Sequence, residues 1–131
     1  MADILVIDDE ELALFTMREI LEDAGHTVAT ASDGAAGLAL QSSRRFDLVI
    51  TDMIMPHKEG AQLIGEIREK DPGIPILAVS GSGRTRNTDL LELARQCGAN
   101  AVLTKPFSEE DLLKVLAVCL GTGKTDLPSA S

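Results

Sequence analysis

One alternation runs through the chain five times: a short run of β-branched and other aliphatic residues, then a stretch in which apolar residues recur at helical spacing. Ile4-Leu5-Val6-Ile7 precedes Leu12, Phe15, Ile20 and Leu21, a helical pattern that stops near Gly25. Thr27 to Ala31 precedes Ala35 to Leu40, and Asp47 to Thr51 precedes Leu63 to Ile67. Ile76 to Ser80 precedes Leu90 to Ala94, and Ala101 to Thr104 precedes Leu112 to Leu120. Strands that are apolar on successive residues are covered on both faces, as in a parallel sheet. Helices between them supply the right-handed crossovers that parallel neighbours need. Five βα units therefore predict an α/β fold, a doubly wound (βα)5 sandwich around one parallel sheet.

Helix punctuation agrees with this division. Asp33, Ser108 and either Asn87 or Thr88 are capable N-caps, and Gly25 and Gly98 can end the preceding helices in the left-handed region. With 131 residues there is room for one ordinary domain, placed here over 1–120. From Gly121 to Ser131 the apolar periodicity is lost and turn residues accumulate, which predicts a flexible tail over 121–131 with no effector domain after it.

A formal charge of -9 argues against direct attraction to nucleic acid or to an anionic membrane. The apolar runs break well before the roughly 18 residues of a membrane helix, so no membrane insertion is expected. Cys97 and Cys119 stand alone without CxxC spacing, and no secretory segment opens the chain, so a cytoplasmic location is expected.

In an open α/β sheet, ligands gather beyond the carboxyl ends of the strands. The predicted strands end there in Asp8-Asp9, Asp52, Ser80 and Lys105-Pro106, so these polar groups should meet on one edge. Clustered carboxylates repel one another unless a cation neutralises them. Magnesium suits them because it takes oxygen ligands, keeps several waters and commonly shares its shell with phosphate oxygens. Asp9 and Asp52 could bind it directly, and Asp8 through water. A carboxylate can also act as a nucleophile toward phosphorus, and centrally placed Asp52 is the candidate. In-line transfer then needs alignment and positive charge, which Lys105 and the cation supply while Ser80 offers a hydroxyl donor.

Val6-Ile7-Asp8-Asp9, Asp47-Leu48-Val49-Ile50-Thr51-Asp52-Met53-Ile54-Met55-Pro56, Ser80 and Lys105-Pro106-Phe107 resemble, in order and spacing, the motifs of response-regulator receiver domains. The resemblance spans about residues 2 to 120 and rests on the combination of motifs. It implies a flavodoxin-like five-stranded parallel sheet of order 2-1-3-4-5. It also implies Asp52 as phosphoacceptor, Asp8 and Asp9 as the acidic metal pair, and Ile54 as a ligand through its backbone carbonyl. Ser80 and Lys105 become the phosphoryl-sensing pair, and the Lys105-Pro106 peptide bond is expected to be cis. The implied cofactor is Mg2+, with Mn2+ as a substitute. The implied partners are a histidine kinase or histidine phosphotransfer protein and a downstream protein target. The target would bind the face formed by the fourth helical pattern, the fifth strand and the fifth helix. The chain would be a signalling protein rather than an enzyme, with at most slow self-phosphorylation and self-dephosphorylation.

Three departures bear on the response. His57-Lys58-Glu59 replaces the family's usual polar, apolar, acidic triplet before Gly60. Val102 stands where many receivers carry a Phe or Tyr, so an inward-swinging ring cannot report the state of Ser80. Gly81-Ser82-Gly83 gives the loop after Ser80 little steric restraint and is a candidate switch.

Each motif has a plainer reading. An acidic pair can cap a helix, a serine before glycine can close a turn, and a lysine beside proline can be a surface residue. His26 and His57 lack partners at metal spacing, and Gly121 to Thr125 resembles a phosphate loop without its first glycine. Three rival functions remain on the same architecture. A small aspartyl-phosphate hydrolase would want an acid at position 54, where Ile stands. A flavodoxin-like FMN carrier would want a Ser/Thr-rich first loop and aromatic stacking residues. A vestigial docking module is favoured by Val102 but not by the intact Asp8, Asp9, Asp52, Ser80 and Lys105.

Overall fold

The computed structural model describes residues 2–52, 60–80, 96, 98–104 and 107–120. Five strands, β1 (Asp3–Ile7), β2 (Thr27–Ala31), β3 (Leu48–Asp52), β4 (Ile76–Ser80) and β5 (Ala101–Thr104), form one sheet of order β2-β1-β3-β4-β5. Every pairing is parallel. The expected doubly wound, flavodoxin-like architecture is therefore present. Four helices are described: α1 (Glu11–Asp23), α2 (Gly34–Ser43), α3 (Gly60–Lys70) and α4 (Glu109–Cys119). The helical pattern expected over Leu90 to Ala94 and the tail over 121–131 lie outside the described residues.

The central strands are apolar over successive residues, Ile4 to Ile7, Leu48 to Ile50 and Ile76 to Val79, because alternate side chains enter different cores. Leu5, Ile7, Val49, Ile76 and Ala78 join Leu63, Ile64 and Ile67 of α3 on one side of the sheet. Ile4, Val6, Leu48, Ile50, Leu77 and Val79 join Met17 and Leu21 of α1 and Leu112 and Leu116 of α4 on the other. Burying an aliphatic side chain contributes about 1.5–3 kcal/mol, so a one-residue slip in β1 or β3 would exchange two complete packing sets.

The helix ends follow the sequence. Asp33 accepts a hydrogen bond from the Ala36 N–H at 2.8 Å. Ser108 and Asp111 form a reciprocal capping box at the start of α4. Gly25 and Gly98 have φ of 99° and 121°, where a side chain would be strained. The helical pattern read from Leu12, Phe15, Ile20 and Leu21 is α1, but Leu12 and Phe15 do not enter the core, being 75% and 60% exposed, whereas Met17 and Leu21 are buried. Leu12 and Phe15 fall on the outer side of α1, where the sequence offers only Leu and Phe as apolar markers and gives no direction to the sheet.

Candidate functional site

The order β2-β1-β3 places β1 at the point where the chain turns from one half of the sheet to the other. Connections diverge there on both faces, leaving a crevice beyond the strand ends. Asp8 and Asp9 leave β1 into this crevice, and Asp52 closes β3 beside them, with Ile7 opposite Thr51 in the ladder. One carboxylate oxygen from each of Asp8, Asp9 and Asp52 lies within 4.8 Å of the other two.

Their environments differ. Asp8 is fully buried, Asp52 is 6% exposed and Asp9 is exposed. Asp8 is fixed by its own loop: its N–H donates to the Ala31 carbonyl at 3.1 Å, and its Oδ1 accepts from the Glu10 N–H at 2.9 Å. The plainer reading of this acidic pair is thus partly realised, since Asp8 stabilises the turn into α1 while also facing the cluster. Glu10, at the N-cap of α1, makes no side-chain cap. Asp52 is held in a strand whose five residues are all buried, and the Thr51 hydroxyl donates to the Asp52 carbonyl at 3.2 Å.

Oxygens sharing an octahedral magnesium at about 2.1 Å stand roughly 3–4 Å apart. Three oxygen donors within 4.8 Å, on two adjacent strand ends, fit a hard divalent cation with small side-chain rotations. Among the described residues no nitrogen or sulfur ligand belongs to the cluster, which suits magnesium or manganese better than zinc.

Ser80 ends β4 at the same edge: Asp52 pairs with Val79, and Ser80 pairs with Thr104 of β5. Lys105 follows Thr104 directly in the chain, but Lys105, Pro106 and the bond between them lie outside the described residues, as do Ile54, His57-Lys58-Glu59 and Gly81-Ser82-Gly83. Val102 is half-buried opposite Ala78 and packs against the α3-side core. His26 sits at the opposite edge, where its Nδ1 accepts from the Ala2 N–H at 3.1 Å. Burial, with the N-terminal charge adding, lowers its pKa below the ordinary value.

A family model for the response regulator receiver domain matches residues 4–117. The chain belongs to the response-regulator receiver family. It is 39% identical over 109 residues to a response regulator receiver protein of Anaeromyxobacter sp. (strain Fw109-5), covering 83% of this chain and 44% of that protein. It is 34% identical over 122 residues to Protein PilH of Pseudomonas aeruginosa, covering 92% of this chain and 98% of that protein. Thus the chain spans less than half of some curated relatives and nearly all of another. Among solved structures, chemotaxis protein CheY4 of Vibrio cholerae superposes with a TM-score of 0.82 at 32% identity, over 91% of this chain and 98% of that one. The receiver domain of NtrX from Brucella abortus gives 0.86 at 34%, over 92% and 99%.

Receiver domains are signalling modules of two-component systems rather than enzymes of the usual kind, and they typically bind Mg2+ through an acidic pocket such as the Asp8, Asp9 and Asp52 cluster. Among the described residues, no helix is long and apolar enough to cross a membrane.

Sequence reasoning missed two features near this receiver's site and its edge strand. One is the exposed apolar pair Leu12 and Phe15 at the start of α1, directly after the acidic loop. The other is a hydrogen-bonded group around Arg68 and Asn100 at the far end of β4 and β5. Residues 32 apart in sequence carry no local signal of meeting.

Proposed function

We propose that this receiver accepts a phosphoryl group on Asp52 from a phosphohistidine and answers by changing its protein-binding surface. The observation that supports this best is the convergence of three carboxylates at the switch point, with Asp52 almost buried at the end of β3. An Asp52 carboxylate oxygen forms a bond to phosphorus as the bond from phosphorus to the donor's imidazole nitrogen breaks, and the imidazole leaves with the electron pair. Asp9 and Asp52, with Asp8 through water and the Ile54 backbone carbonyl, would hold Mg2+, with Mn2+ as a substitute. The bound ion supplies positive charge against the phosphoryl oxygens. Lys105 and Ser80 receive those oxygens during transfer and hold them afterwards.

The donor is a histidine kinase or histidine phosphotransfer protein, acting in the cytoplasm. Leu12 and Phe15, exposed in the first turns of α1 after Asp8 and Asp9, give it an apolar foothold. The downstream target binds the face carrying β5, α4 and the helical pattern over Leu90 to Ala94. Residues 1–120 form the receiver and 121–131 a tail, and binding to nucleic acid is not direct. Val102 removes the aromatic report of Ser80, so the response passes through the Gly81-Ser82-Gly83 loop.

The test is incubation with magnesium and acetyl phosphate, followed by intact mass. An added phosphoryl group that hydroxylamine removes, and that is lost in Asp52→Asn, is the expected result. An adduct that persists in Asp52→Asn moves the acceptor elsewhere; no adduct at all leaves the vestigial docking module.

A further inference from the structure

β5 is a four-residue edge strand, and its own side chains specify its register weakly. Every residue in it is half-buried. Ala101 and Leu103 pack toward the α1 and α4 side, and Val102 toward the α3 side. A slip of one residue would exchange one set of small aliphatic groups for another, whereas in β1 it would displace fully buried Ile and Leu side chains. Such a slip would carry residue 105 along the strand by about 3.3 Å and turn its side chain to the other face.

Something else therefore fixes the strand, and the geometry is present at its start. The Asn100 N–H donates to the Ile76 carbonyl at 2.8 Å, and the Ile76 N–H donates back to Asn100 Oδ1 at 2.9 Å. This closed pair sets residue 100 opposite the first residue of β4. The same Oδ1 accepts from an Arg68 guanidinium nitrogen at 2.9 Å. That nitrogen also donates to the Gly98 carbonyl, while its twin donates to the carbonyls of Pro72 and Ile74. The planar fork thus ties the α3–β4 turn to the approach of β5 through one group. A Cβ at residue 98 would stand 3.3 Å from Arg68 Nε, so the left-handed glycine also clears the path of the guanidinium.

We infer that Asn100, held by Arg68, is a positioning residue that sets the register of β5 and thereby delivers Lys105 to the Asp52 edge. The inference rests on the proposed role of Lys105 in receiving the phosphoryl oxygens. After β5 the next described residue is Phe107, half-buried against the α1 and α4 side, so in the chain the Asn100 lock is the anchor that precedes position 105 and Phe107 the one that follows it.

The test compares Asn100→Ala with Asn100→Asp, which keeps an oxygen for both Arg68 and Ile76. Asn100 is exposed, so neither change disturbs a core. In Asn100→Ala, amide exchange at Ala101 to Thr104 should quicken about tenfold while β1 and β3 stay protected, and Asn100→Asp should restore it. Uptake from acetyl phosphate should fall about tenfold with magnesium affinity unchanged. That fall should vanish in a Lys105→Ala background, because the two residues act through one group. Unchanged exchange in β5 would overturn the lock. A loss of uptake equally large without Lys105 would overturn its route. If the parent protein takes up no phosphoryl group, the proposed function fails, and the exchange measurement alone decides whether Asn100 sets the strand.

Discussion

Two glycines inside helices, Gly37 in α2 and Gly65 in α3, should answer the same substitution with opposite signs. Replacing a helical glycine by alanine in open space stabilises by about 0.8–1.0 kcal/mol, since the unfolded chain loses freedom and the helix gains a better former. A Cβ at residue 65 meets nothing within 4 Å, so Gly65→Ala should show that full gain. A Cβ at residue 37 runs into Ile7 Cδ1 and lies 2.8 Å from Ile7 Cγ1. Ile7 is fully buried in a core with Leu5, Val49 and Ala78, so relief must come from repacking Ile7 against that core or from moving α2 off β1. Overpacking of that kind costs about 1–3 kcal/mol, which leaves Gly37→Ala between neutral and roughly 2 kcal/mol less stable than the parent. The two variants then differ by about 1–3 kcal/mol, or on the order of 4 °C per kcal/mol in midpoint for a chain of this size. Urea unfolding followed by far-UV circular dichroism measures this directly. In an Ile7→Val background the clashing Cδ1 is gone, and the cost of Gly37→Ala should fall by more than half. Gly37→Ala proving as stable as Gly65→Ala would refute the reading of a close approach between α2 and β1.

Other perturbations test separate parts of the molecule. The folded pKa of His26 lies below its ordinary value of 6.5, so the folded state holds this proton less tightly than the unfolded chain. Its contribution to stability is therefore complete above 6.5 and is lost as pH falls from 6.5 through the folded value. His26→Gln should flatten that part of a stability profile against pH, and an unchanged slope would count against it. Ser108→Ala removes the half of the capping box in which the Ser108 hydroxyl accepts from the Asp111 N–H, and should destabilise α4 by about 1 kcal/mol in thermal melts; an unchanged midpoint would contradict the cap. Burial pushes the Cys119 thiol up to about 11, so alkylation mapped to its peptide should follow unfolding, not thiol exposure in the folded state. Phe15→Ala should slow phosphoryl transfer from a protein donor while leaving uptake from acetyl phosphate unchanged, and equal loss from both donors would deny Phe15 a docking role.

Much of the fold was legible because the chain states it redundantly. Ile4 to Ile7 and Leu48 to Ile50 are apolar at every step, which only a strand covered on both faces requires. Parallel direction then sends every strand end, and so Asp8, Asp9 and Asp52, to one edge without any knowledge of strand order. The adjacency of β1 and β3 is different. Periodicity does not order strands, and the order came from resemblance to receivers. The direction of α1 was also hidden, because its apolar residues do not share one face: Leu12 and Phe15 stand off the three- and four-residue spacing that joins Met17 to Leu21, and the pattern alone does not say which set meets the sheet. The Asn100 lock was least legible of all, since one asparagine before a strand reads as a turn residue until Arg68 is brought to it across 32 positions.

The division of labour across the sheet follows from this difference in specification. β1 and β3 are central strands with buried residues on both faces, so their register resists change, and the clustered carboxylates of Asp8, Asp9 and Asp52 stand at their ends. β5 is an edge strand, half-buried throughout and fixed largely from its ends. A group carried at the end of β5 can be displaced at much lower cost than one at the end of β3. The proposed function uses this difference, with the proposed phosphoacceptor and metal ligands on the first kind of strand and the proposed phosphoryl-sensing lysine after the second. Replacing fully buried Ile50 by alanine should therefore lower magnesium affinity and stability together, whereas Asn100→Ala should lower phosphoryl uptake and leave magnesium affinity unchanged. Equal effects of both on magnesium affinity would mean that the edge and the centre of this sheet move as one.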